Sequence, residues 1–187
     1  MVDSHGSIAG VVDSVNRRIV RFFDMLETKS NNGIYLMFLS LTLIIIIPIL
    51  IAYEFEEDST RYEHKDLDIF RDRAETILEG DLLYRDTEHV TLSPPLINYL
   101  FVPAVLLGNT ALVWTCWFAT FIFISSVVLY HILLGLFDKR YAIAGAVFFI
   151  TSPFSNYTTI MMMQDDAIIV SFLLLAFLFI ILSLIHN

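Results

Sequence analysis

Two carboxylate sites stand out in the 187-residue chain. The first is Asp66, with Asp68 beside it, at the head of a segment in which Leu67, Phe70, Ala74, Ile77 and Leu78 recur at helical spacing before Gly80. A carboxylate held at a helix start next to the membrane is placed to take a proton from a bound hydroxyl, because the backbone fixes its position. The same residue can act as a plain N-cap, accepting from exposed backbone N–H groups. The second site is the pair Asp165-Asp166, directly ahead of a long apolar run. Adjacent acids so near hydrocarbon are costly unless they face water, protein or a cation, which marks them as functional. The competing reading is a solvated helix start, where carboxylates complement the helix dipole.

Other chemistry-bearing residues are more scattered. His64 and His89, with Asp86 or Glu88, offer cation ligands, although no HxxxH or HxxE spacing marks a dedicated zinc site. Tyr62, Tyr84 and Tyr99 suit interfacial anchoring as well as substrate contact. His131 lies inside an apolar run and reads as a helix-contact residue. The lone Cys116 excludes a disulfide framework and a cysteine metal cluster. No Gly-rich phosphate loop and no GxSxG is present, which disfavours the P-loop and serine-hydrolase classes.

The elements that must position these residues are set by a strong segregation of charge from apolar sequence. Hydrophobic residues make up 57% of the chain, yet it carries a net charge of −9. An ordinary soluble domain has fewer apolar residues, and a nucleic-acid binder needs a basic face, so a membrane protein is the class that remains. Between Tyr53 and Ser93 lie thirteen acids and five bases, so −8 of the net charge belongs to one loop. Residues 34–53 are uncharged over the length that crosses a bilayer, about 20 residues. Residues 110–137, 141–161 and 167–185 give three more spans. The apolar stretch 96–107 after Pro94-Pro95 is short and suits an interfacial or re-entrant piece.

The expected fold is therefore an all-α integral membrane protein with about four transmembrane helices, an extracytoplasmic loop with juxtamembrane helices, and an N-terminal amphipathic helix. The expected divisions are a cytoplasmic amphipathic segment 1–33, a first span 34–53, an extracytoplasmic acidic loop 54–109, and the remaining spans in 110–187. Arg17, Arg18, Arg21 and Lys29, with Lys139-Arg140, fall on one side of this topology, which the positive-inside bias assigns to the cytoplasm together with both termini. In the first segment Ile8, Val12, Val15, Ile19, Phe22 and Leu26 form one helix face. That pattern fits an in-plane interfacial helix, or a helix packed on another protein segment.

The loop motifs also resemble a known family. The ordered set is Asp66-Leu67-Asp68-Ile69-Phe70, then Ile77-Leu78-Glu79-Gly80-Asp81, Leu83-Tyr84-Arg85-Asp86 and Ser93-Pro94-Pro95-Leu96-Ile97-Asn98-Tyr99-Leu100. After it come Asp138-Lys139-Arg140, Thr151-Ser152-Pro153-Phe154 and Gln164-Asp165-Asp166-Ala167. Taken in order over residues 34–185, this set resembles the N-terminal portion of GT-C-type polytopic glycosyltransferases, such as protein mannosyltransferases and aminoarabinose transferases. The resemblance implies sugar transfer from a polyprenyl-phosphate donor to an acceptor hydroxyl on the extracytoplasmic side. It implies Asp66 as base or acceptor-orienting residue, with Asp68 as neighbouring substitute and Asp166 or Asp165 as the second acidic site. Tyr84, Arg85, Pro94 and Pro95 would contact substrate, and Glu88, with His89, would hold a divalent cation. Family members have many more spans, so the resemblance also implies a second membrane subunit or further spans completing the donor site. The alternative is a non-catalytic membrane subunit or truncated paralogue whose acidic loop serves as an interaction or cation-binding surface.

Overall fold

The computed structural model describes residues 4–55, 65–85 and 94–186. The described residues are helical, without a β-strand. The order is α1 (Ser4–Glu27), α2 (Asn31–Phe55), α3 (Lys65–Glu79), α4 (Pro95–Tyr99), α5 (Val102–Leu106), α6 (Ala111–Leu136), α7 (Lys139–Ile150), α8 (Pro153–Asn156), a π-helical turn (Tyr157–Met161) and α9 (Asp166–His186). Glu88 and His89, the expected cation ligands, lie outside the described residues, as do His64 and Asp86.

Helices α2, α6 and α9 are each long and apolar enough to cross a bilayer. Their 25, 26 and 21 residues supply the roughly 30 Å of a hydrocarbon core at 1.5 Å per residue. Large side chains such as Leu43, Ile47, Phe177 and Phe179 face outward, which only lipid or another apolar surface tolerates. The chain is an all-α membrane protein.

The segment 141–161, expected as one continuous span, is a broken path. Helix α7 stops after 12 residues, because Pro153 cannot continue the hydrogen-bond ladder. Ser152 then caps the short α8, accepting from the backbone N–H of Ser155 at 3.5 Å. Asn156 donates to the carbonyls of Ile150 and Ser152 at 2.8 and 2.9 Å, bridging the break. The path still connects the two ends of the bundle. Ala142, Ile143 and Ala146 pack with Leu26, Ile34, Phe38 and Tyr130, whereas Ile160 packs with Ile46, Leu67 and Trp114.

The α1 end is closed by polar ties. Arg140 pairs with Asp24 and, at 3.5 Å, with Glu27, and the Lys139 ammonium donates to the Lys29 carbonyl at 2.6 Å. The Tyr35 hydroxyl meets His131 Nε2 at 2.7 Å, and Tyr130 donates to Asn31 at 3.2 Å. His131 is thus the helix contact its apolar setting implied. Midway, Ser125 and Ser171 hydroxyls lie 2.7 Å apart and hold α6 against α9.

The opposite end carries the site. Helix α3 ends at Gly80, whose φ of +82° allows a Schellman closure: Asp81 N–H to Thr76 O at 3.1 Å and Gly80 N–H to Ile77 O at 3.2 Å. Its apolar face, Leu67, Phe70 and Ala74, is buried against Phe101, Ala104, Trp114 and Phe118. The short helices α4 and α5 occupy the stretch expected to be interfacial, and they pack under α3 rather than crossing.

Candidate functional site

The site grows from helix α3. Asp66 is the second helical residue and exposed, so it complements the helix dipole instead of capping from outside. Asp68 is also exposed, and Arg71 Nη1 donates to it at 3.4 Å. The remaining donors of Arg71 are turned elsewhere: Nε reaches Asn109 Oδ1 at 3.0 Å and Nη2 the Asn109 carbonyl at 3.3 Å. Asn109 also accepts from Trp114 Nε1 at 2.8 Å and donates to Glu75 at 3.1 Å. One asparagine therefore ties α3 to the start of α6.

Arg73 is the group that sequence reasoning did not single out. It is buried, 7% exposed, and its Nη1 donates to Asn98 Oδ1 at 3.3 Å. Asn98 is itself fully buried and donates to the Pro94 carbonyl at 3.3 Å. Burial pushes the guanidinium pKa down, while Asp165, Asp72, Tyr84 and Asp66 act through their charge in the opposite direction. Charge and loop position alone do not distinguish Arg73 from Arg61, Arg71 or Arg85. Residue spacing does not separate Arg73 from Arg71, because both flank the stripe of Leu67, Phe70 and Ala74, and only the packing shows which cation is buried among acceptors.

The second acidic site acts on this arginine through the charge of Asp165. The chain leaves the π-helical turn through Met163, buried and left-handed at φ +48°, with Gln164 N–H bonded to Thr158 O at 3.2 Å. Both a π turn and a non-glycine residue at positive φ are uncommon and costly, and both gather at functional sites. They deliver Asp165 half-buried beside the loop and Asp166 exposed at the start of α9. Desolvation pushes the Asp165 carboxyl upward, as does the neighbouring Asp166; Arg73 pulls it down, and Asp66 adds a smaller upward push. Asp66, Arg73 and Asp165 thus share one electrostatic neighbourhood although they are far apart in sequence.

Two apolar grooves flank the start of α9. One, of about 210 Å³, lies between the broken segment and α9 and is lined by Phe149, Phe154, Thr158, Asp166 and Val170. The other, of about 200 Å³, is formed by Pro94, Leu96 and Leu100 against Ile168 and Phe172. Ile169 lines both. No family model, curated protein or solved structure matches the chain. The geometry of the site is what bears on its chemistry.

Of the residues expected at the site, Asp66 and Asp165 both act through their charge on Arg73. Tyr84 is 55% exposed, in the turn that follows α3. Arg85 is exposed in the turn closed by its N–H to Leu82 O at 2.9 Å. Pro94 lines the second groove, and Pro95 is the exposed first residue of α4. Among the described residues, no three His, Cys, Asp or Glu side chains converge on a point that could hold a metal ion. The arrangement is suited to proton transfer and to charge stabilisation beside lipid.

Proposed function

We propose that this chain is a GT-C-like membrane glycosyltransferase module, transferring a sugar from a polyprenyl-phosphate donor to an acceptor hydroxyl. The observation that carries the proposal is a buried arginine, Arg73, held by Asn98 and lying within the electrostatic reach of Asp66 and Asp165, together with two apolar grooves that flank the start of α9. In this reading the donor's isoprenoid tail lies along the groove of Pro94, Leu96 and Phe172 or that of Phe154 and Val170. Asp66 accepts the acceptor's hydroxyl proton as its oxygen attacks the anomeric carbon. The bond from that carbon to the phosphate oxygen breaks, and the phosphate leaves with the electron pair. Asp165, biased toward its neutral form, donates a hydrogen bond to the departing phosphate, and the Arg73 field offsets the growing charge. The acidic end then faces the extracytoplasmic side, with Arg140, Lys139 and both termini on the cytoplasmic side.

The test is sugar transfer in membranes carrying the chain with any adjacent-gene membrane subunit. Asp66→Asn is expected to lower transfer by about 10²-fold or more, the usual weight of a positioned base, with stability lowered by no more than the ~0.3–1 kcal/mol of its helix-dipole interaction. A wild-type protein that transfers no sugar from any polyprenyl-phosphate donor under these conditions sinks the proposal.

One observation favours a second reading. Arg71 spends its donors on Asn109 and Asp68, and Arg73 holds Asn98, so these arginines fasten the loop. That use suits a non-catalytic membrane subunit whose acidic loop is a rigid docking surface. Under it, Asp66→Asn and Asp166→Asn weaken assembly with a partner and leave no transfer reaction to lose.

A further inference from the structure

Helix α1 stands apart from the acidic site, at the other end of the bundle. Among the described residues its apolar stripe is buried against the bundle at the C-terminal end of the helix: Leu26 packs against α2, α6 and α7, with Phe23 beside it. Toward the N-terminus the same stripe continues uncovered, with Val12 at 59%, Val15 at 50%, Ile19 at 49% and Phe22 at 48% exposure. Off the stripe, these turns carry Arg17 and Arg21 on the far side and Arg18 on its flank, against the single acid Asp13. The two acids of the last turns, Asp24 and Glu27, are engaged by Arg140.

What covers the stripe follows from where the helix is fastened. Residues 28–30 alone separate α1 from the first membrane-crossing helix, and Lys139 and Arg140 clamp this junction to the start of α7. The stripe therefore leaves the bundle at the plane where the spans enter the bilayer. An apolar face in that plane, backed by three arginines, meets acyl chains below and anionic headgroups beside it. We infer that α1 is an in-plane anchor that binds an anionic bilayer surface, with Val12, Val15, Ile19 and Phe22 immersed and Arg17, Arg18 and Arg21 on the headgroup phosphates.

The full chain, with Cys116→Ser to remove its exposed thiol, is reconstituted in bilayers of phosphatidylcholine alone or with phosphatidylglycerol. Spin labels are placed one at a time through Val15→Cys, Ile19→Cys and Ser14→Cys, the last lying off the stripe. In the anionic bilayer the ratio of oxygen to water-soluble nickel accessibility at Val15 and Ile19 is expected to exceed that at Ser14 by about threefold or more, as for an interfacial helix. Omitting phosphatidylglycerol, or combining Arg17→Gln, Arg18→Gln and Arg21→Gln, is expected to reduce this contrast. Labels at Val15 and Ile19 that are open to nickel would show a helix standing in water and overturn the inference. Labels shielded from both reagents would show a protein partner and overturn it too. Immersion indifferent to the anionic lipid and to the arginines would remove the headgroup assignment, and with it the proposal.

Discussion

Phe70 stacks on Phe101 with ring centroids 4.4 Å apart and planes inclined by 23°. Phe70 also meets Phe118 edge-on at 6.2 Å, and Phe101 leans on Trp114 at 5.9 Å. This aromatic stack is what seats α3 on the membrane bundle, one helical turn beyond Asp66. The aromatic residue four positions after the aspartate therefore has a physical role, since it fixes the height and rotation at which that carboxylate is presented.

Phe70→Ala is accordingly expected to destabilise the protein by about 3–5 kcal/mol, the range for emptying a buried aromatic site. Phe70→Leu, which refills most of the volume, should cost clearly less. Thermal unfolding in detergent reads both. If the alanine variant unfolds like the wild type, α3 is not held by this stack.

The asparagine that ties α3 to α6 gives a sharper comparison. Asn109 sits at φ +54° and bonds Arg71, Glu75 and Trp114 through its side chain. Asn109→Ala loses these bonds and also forces a β-carbon without local compensation into the left-handed region, whereas Asn109→Gly loses only the bonds. The glycine variant should be the more stable of the two by about 1 kcal/mol. Equal unfolding temperatures would mean that the backbone conformation costs nothing at this position.

Much of this arrangement is legible in the sequence, for reasons that differ by residue. The long apolar runs of α2, α6 and α9 announce themselves, because a bilayer demands about 20 uninterrupted apolar residues. Gly80 is legible as the stop of α3, since only a left-handed residue completes its closure. Ser152-Pro153 is visible too, but hydropathy averages across the break, while the proline ends the ladder that a continuous span needs. Arg73 is hidden for a related reason. Charge counts treat all arginines alike, and only the packing of the stripe on α5 and α6 separates the buried one from the others. The electrostatic coupling of Asp165 to Arg73 and Asp66 follows a turn at left-handed Met163, which residue spacing does not encode.

The hydroxyl pair in the bundle interior should matter less than its burial invites. Ser125 and Ser171 are both buried, 0% and 1% exposed, and the single hydroxyl proton of Ser171 also has the carbonyls of Phe121 and Ala167 within reach as acceptors, at 2.9 and 2.8 Å. Interhelical hydrogen bonds in membranes average only about 0.6 kcal/mol, because the separated helices find other partners. Ser125→Ala, which leaves Ser171 its backbone acceptors, should therefore cost less than about 1 kcal/mol. A loss several times larger, measured by unfolding in mixed micelles, would show that this bond sets the α6–α9 register.

The Asp165 carboxyl is held above the usual carboxylate range, first by desolvation and then by Asp166. A raised folded pKa means that the folded protein binds a proton more tightly than the unfolded chain does. The stabilisation from that proton is complete below the ordinary carboxylate range. It is lost as pH rises through the interval between the unfolded and the raised folded value, and above that interval Asp165 is a constant liability. Asp165→Asn mimics the protonated form at every pH, so the two proteins should unfold at similar temperatures in acid and diverge toward neutrality, with the asparagine variant the more stable. Arg73→Met removes a charge that pulls the carboxyl down, and should extend the declining interval to higher pH. Unfolding temperatures of the three proteins across about pH 3–8, a range spanning the ordinary carboxylate value and well above it, test the sign directly. Wild type and Asp165→Asn running parallel throughout would mean that Asp165 is as well solvated in the folded protein as in the unfolded chain. The proton it is proposed to offer a leaving phosphate would then not be there.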